Sequence, residues 1–206
     1  MIAKVSYLII LITIVIGFAS YRNRSGILKL LPWYLCLVFT LEMIAYVLLK
    51  TKRHNMEVYD IMTIVEFSYF SALFYRNAQL GYSKYMILIF TVLFAGSLVL
   101  FYGNIYRYTF YNLISTFMSI LFLVVMSVDY LIAELRSNNI ISFNNNPMIW
   151  ISIGLLLYMS CSAFIVISNY LKIVYTNHSL IHNAVTFVSI LSLYSCLSIS
   201  LLCKKK

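Results

Sequence analysis

Glu42, Glu66 and Asp129 fall inside long apolar runs of this 206-residue sequence. A charge inside a bilayer is costly, so an ionisable residue there is a functional hypothesis by default. Glu42 and Glu66 lie mid-run, and no Lys or Arg is deep enough to reach either without a long snorkel. One reading is a carboxyl hydrogen-bonded to a tyrosine or a backbone carbonyl, gluing the second and third helices together. The functional version of the same pattern is a proton- or cation-coupled path. Asp129 lies near the end of its run and should be partly wet.

The three histidines offer a second chemistry. His178 and His182 are one helical turn apart, so both can face one metal ion. His54 follows the second run, with Glu57 and Asp60 close behind. If those segments share one side of the membrane, His54, His178, His182 and Asp60 can converge on a zinc with a position open for water. That arrangement resembles the zinc-dependent intramembrane hydrolases that cut ceramides and related lipids, which carry His-x-x-x-His in their last helix. The chain departs from that pattern, since His54 lies in a loop and the serine-containing companion motifs do not line up. Solvated interfacial histidines are the plainer reading, and no metal or other cofactor is expected.

Other catalytic constellations fail to form. Cys36, Cys161, Cys196 and Cys203 never space as Cys-x-x-Cys and lie in apolar runs, as buried small hydrophobes do. No Gly-x-Ser-x-Gly, Gly-x-Gly-Asp or phosphate-cradling glycine loop occurs, and the six glycines are scattered singly. The expectation is a protein without catalytic residues.

The elements that must carry these residues are membrane helices. Apolar and aromatic residues make up 63% of the chain and charged residues 10%, too few to coat a globule in water. Seven stretches approach the roughly 20 apolar residues that cross a bilayer: 2–20, 27–49, 58–75, 85–102, 108–131, 147–171 and 180–202. They are continuous and too long for barrel strands. The expected fold is an all-α bundle of about seven transmembrane helices, with residues 1–206 forming a single multi-pass domain. The first stretch has the look of a signal peptide, yet Arg22 and Arg24 follow it at once, and a retained helix is expected.

Lys and Arg set the orientation. Arg22, Arg24, Lys29, Arg76, Lys84, Arg136 and the three lysines at 204–206 fall on one side, against Lys4, Lys50, Lys52, Arg53, Arg107 and Lys172 on the other. That bias puts the N-terminus outside and the C-terminus inside the cell inner membrane. Pro32-Trp33 and Pro147 with Trp150 open the second and sixth helices on the inner side. The net charge of +9 is scattered over short loops without a phosphate-tracking stripe, so direct nucleic-acid binding is not expected.

The repeated Pro/Trp openings invite a parallel repeat like that of small sugar transporters, but the Pro-Gln signature of that group is missing. No lysine precedes Lys204 in the last run, which rules out a retinal Schiff base there. Ser192, Cys196 and Ser200 recur at intervals of four, a small-residue face for close packing within the bundle or in a homo-oligomer. The Asn-rich segment 136–146 is the natural docking loop for a soluble partner.

Residues 59–76, YDIMTIVEFSYFSALFYR, and 147–158, PMIWISIGLLLY, resemble two signature stretches of a large group of bacterial multi-pass proteins of about this length. Glu66-Phe67 matches a Glu-Phe of the third helix, Trp150 with Gly154 a Pro-x-x-Trp-Ile-x-x-Gly opening of the sixth, and Leu202-Cys203-Lys204 a near-terminal Leu-Cys-Lys. The chain is also similar in size and composition to the transmembrane accessory proteins encoded beside RNA-targeting CRISPR nucleases. These resemblances imply a non-catalytic accessory or regulatory protein with a cytoplasmic partner, in antiphage defence. The alternatives are a membrane sensor, a cation- or proton-coupled transporter and a zinc-dependent hydrolase.

Overall fold

The computed structural model describes residues 2–24, 26–52, 55–78, 81–103, 108–136, 145–170 and 178–203. Seven α-helices and no strand occur among them: α1 (Ile2–Ala19), α2 (Leu31–Lys50), α3 (Met56–Asn77), α4 (Gly81–Gly103), α5 (Tyr108–Arg136), α6 (Pro147–Tyr170) and α7 (His178–Leu202). In hydrocarbon every backbone polar group must be satisfied within its own segment, and long helices meet that demand. The sequence does not obstruct them. Both prolines stand in a first helical turn, Pro32 in α2 and Pro147 in α6, where the missing N–H costs nothing. Hydroxyls inside the helices bond back to their own carbonyls, as Ser127 does to Leu123 at 2.8 Å and Ser152 to Met148 at 2.9 Å.

Five of these helices, α2 and α4 to α7, are long and apolar enough to cross a membrane. The shorter apolar run of α1 covers Val5–Ala19. Glu57, Asp60 and Glu66 dilute α3. The chain is a helical membrane protein, and two of the seven expected spans fall short of that measure for these reasons. Several boundaries also shift, among them the start of α4, which lies at Gly81. A 3-10 segment, Gly26–Leu30, leads into α2, and α5 runs on to Arg136. At about 1.5 Å per residue, the 29 residues of α5 cover roughly 43 Å, more than the hydrocarbon thickness. Its last turns carry Asp129, Glu134 and Arg136.

The helices close into a ring in the order α1, α2, α3, α5, α6, α7, with α7 returning to α1. The α6–α7 contact is the most extensive, and α4 lies outside the ring against α3 and α5. Phe67 of α3 sits 4.1 Å from Phe94 of α4 between ring centroids, and Phe90 of α4 stacks on Phe122 of α5 at 4.3 Å. Phe67, Phe70 and Leu73 of α3 are buried with Leu123 and Met126 of α5. The ends of α1, α3, α5 and α7 meet the starts of α2, α4 and α6 at one end of the bundle. Gly17 lies against Pro32 and Leu201 there, and Ser83 bonds Asp129.

Candidate functional site

Glu66 follows from the position of its neighbour. Successive helical residues are turned by about 100°, so with Phe67 buried against Phe94 of α4 and Phe122 of α5, Glu66 occupies a different face of α3. Glu66 interacts electrostatically with the phenols of Tyr34 on α2, Tyr158 on α6 and Tyr194 on α7. Glu42 on α2 lies within electrostatic range of Tyr7 of α1, Tyr59 of α3 and the same Tyr158 and Tyr194. Five of the six ring helices therefore contribute to one polar and aromatic interior.

Aromatic rings fix its geometry. Tyr34 and Tyr69 stack with centroids 4.3 Å apart and planes 9° from parallel, which ties α2 to α3 one turn from Glu66. The Tyr69 Oη is buried and has no hydrogen-bond partner among the described residues. No Lys or Arg occurs in the central part of any of the seven helices. Neither glutamate has a Lys or Arg at its own depth in the sequence.

Asp129 has a different setting. It accepts hydrogen bonds from Tyr82 Oη at 3.0 Å and Ser83 Oγ at 2.6 Å, both at the start of α4. It therefore clamps the outlying helix to α5. A water-sized cavity of about 10 Å³ adjoins it, lined by Phe74, Ile87, Met126 and Tyr130.

Sequence reasoning missed two polar residues at this end. Glu134 is buried and accepts from Asn146 Nδ2 at 3.0 Å. The same amide also donates to Tyr130 Oη, while Asn146 Oδ1 accepts from the backbone N–H of Met148 at 3.0 Å. An Asn directly before a helix-opening Pro is a capping signal, so Asn146 was readable, whereas its bond to Glu134 was not. Arg24 is buried too and donates from its guanidinium to the Leu201 carbonyl at the end of α7. Burial pushes its pKa down from the usual arginine value.

The histidine constellation is only partly described. His54 and residues 137–144 of the docking loop lie outside the described residues. His178 opens α7, and His182 is half-buried one turn on. Asp60 is half-buried in the first two turns of α3. The helices carrying them, α3 and α7, stand across the ring from each other rather than side by side. Among the described residues no group of three or more His, Cys, Asp or Glu side chains is placed to hold a metal ion.

The chain matches no protein-family model, no curated protein and no solved structure.

Proposed function

We propose that this chain is a multi-pass protein of the cell inner membrane, N-terminus outside and C-terminus inside, that carries a small cation or a proton-coupled solute through its helix ring. One observation supports the reading above the others. Glu42 and Glu66 share Tyr158 and Tyr194 as electrostatic neighbours at a depth where no helix supplies a Lys or Arg. Intramembrane carboxylates facing a bundle interior are the usual groups of ion and proton paths. Support for the orientation comes from Arg22, Arg24, Lys29, Arg76, Lys84 and Arg136, which gather at one end of the bundle.

The test is reconstitution in proteoliposomes under an imposed pH gradient and membrane potential, with an internal pH dye as readout. Wild-type protein should conduct or couple a flux that Glu42→Gln and Glu66→Gln abolish. Variants that behave as wild type would overturn the reading.

The same cationic end favours a second reading, an accessory or sensing protein that docks a cytoplasmic partner such as an RNA-guided nuclease. It predicts a stoichiometric partner crosslinked in native cells and lost when Arg76, Lys84 and Arg136 are reversed in charge. Association that survives the reversal would remove this face as the docking surface.

A further inference from the structure

The connection between α1 and α2 carries three cations, Arg22, Arg24 and Lys29, and no acid. A fourth cation reaches it from α3, whose last turn holds Arg76. A Cβ placed on Gly26 would stand 3.5 Å from Arg76 Nε and 3.6 Å from its Cζ, so the guanidinium lies against that glycine. Gly26 has a φ of +65°, and a residue without a Cβ lets the backbone bend there without strain. Two residues earlier, Arg24 is buried and donates to the Leu201 carbonyl, while its Nε has no partner among the described residues.

The chain supplies little to balance this charge. No Asp or Glu precedes Glu42 or follows Glu134, so α1, α6 and α7 are without acids. The side chains of Arg22, Lys29 and Arg76 make no hydrogen bond or ion pair among the described residues. Lys29 Nζ lies 5.6 Å from the centroid of the Tyr21 ring instead. A buried guanidinium without a carboxylate is costly, and an anion from outside lowers that cost. The same connection also has an apolar wall. Phe18, Leu30 and Trp33 are exposed, and Trp33 meets Phe18 edge-on with centroids 5.5 Å apart.

We propose that the α1–α2 connection together with Arg76 binds an anionic phospholipid, its phosphate at Arg76, Lys29 and Arg22 and its acyl chain along Phe18, Leu30 and Trp33. The planar fork of an arginine matches two phosphate oxygens at once. Basic pockets between membrane helices are suited to such headgroups. Arg24 adds its charge from within the fold. The apolar wall selects a lipid over a soluble anion, since a free phosphate or an acidic protein segment gains nothing from it. The site uses neither Glu42 nor Glu66 and stands apart from the carrier reading.

The experiment is thermal unfolding of the purified, delipidated full chain in detergent doped with phosphatidylglycerol. Phosphatidylcholine with the same acyl chains and inorganic phosphate are the comparisons. A saturable upward shift is expected with phosphatidylglycerol and with neither comparison. Arg76→Gln and Lys29→Gln should each weaken the apparent affinity roughly fivefold, the weight of one interfacial cation. Lys50→Gln, at the opposite end of α2 from Trp33, should leave it unchanged. Lys29→Gln carries the test if Arg76→Gln fails to fold, and Arg24 is kept because it holds the end of α7.

Equal shifts with the two lipids, or as large a loss in Lys50→Gln as in Arg76→Gln, would overturn the site and leave only a general attraction between a basic protein and an acidic bilayer. An equal shift with inorganic phosphate would overturn the lipid and make a soluble anion the occupant. No shift with phosphatidylglycerol would overturn the proposal and leave Arg76 to the soluble partner of the second reading above.

Discussion

Gly154 on α6 lies directly beneath Cys196 on α7: a Cβ added to the glycine would fall 2.7 Å from the cysteine Cβ and 3.4 Å from the Leu193 carbonyl. This close approach lies within the most extensive helix pair of the ring. Without a hydrophobic force between helices in lipid, close van der Waals contact over small residues does the holding. The Gly of the Pro-x-x-Trp-Ile-x-x-Gly stretch and the Cys of the Ser192–Cys196–Ser200 series are two sides of one contact.

Gly154→Ala should therefore destabilise the protein by about 1–3 kcal/mol, the usual range for overpacking. Cys196→Gly in the same chain removes the clashing Cβ and should recover part of the loss. Thermal unfolding of the two single variants and the double variant checks it. Purely additive losses would contradict the contact.

Asn146→Ala should cost more than a simple helix cap. The cap at Met148 alone is worth about 1 kcal/mol, and the change also strips the buried Glu134 of its Asn146 donor. Asn146→Asp keeps the cap but sets a second carboxylate against Glu134, so it should be worse than Asn146→Ala. Equal stability of the two variants would contradict this prediction.

Asp129→Ala should loosen α4 selectively. The helix lies outside the ring, and its start is held by the bonds from Tyr82 and Ser83. Losing both is expected to cost about 1–3 kcal/mol. Limited proteolysis near residue 80 should accelerate while the ring interior keeps its function. Unchanged proteolysis would show that the phenylalanine cluster alone holds α4.

Single cysteines at Arg76, Lys84 and Arg136 in a cysteine-free background should react with a membrane-impermeant maleimide only after the cytoplasmic side is opened. Labelling from outside the intact cell would invert the orientation.

Much of the fold was legible because membrane helices announce themselves by length. The helix starts at Pro32 and Pro147 were readable from proline chemistry, and the interior charge of Glu66 from its position in an apolar run. Ring order was not. In lipid both the packed and the exposed faces of a helix are apolar: Val92 and Val99 of α4 are 70% and 72% exposed, yet as hydrophobic as the buried Leu155 and Leu197. The contrast that reveals an inward face in water is absent here. Nothing in the sequence therefore said that α4 stands outside and that α3 meets α5. The shared phenols of Glu42 and Glu66 depend on that order, because it brings Tyr158 and Tyr194 to the interior that α2 and α3 also face. Asp129 was readable as an end-of-helix acid, but its clamp on Tyr82 and Ser83 needed the position of α4.

The most direct measurement is the cation-driven current of purified wild-type and Glu66→Gln protein in the same liposomes, compared at equal protein density. The interior-carrier proposal predicts a saturable current in wild type and none above protein-free liposomes in Glu66→Gln, with both proteins unfolding at similar temperatures. Equal currents in the two proteins, or no current in either, would contradict it.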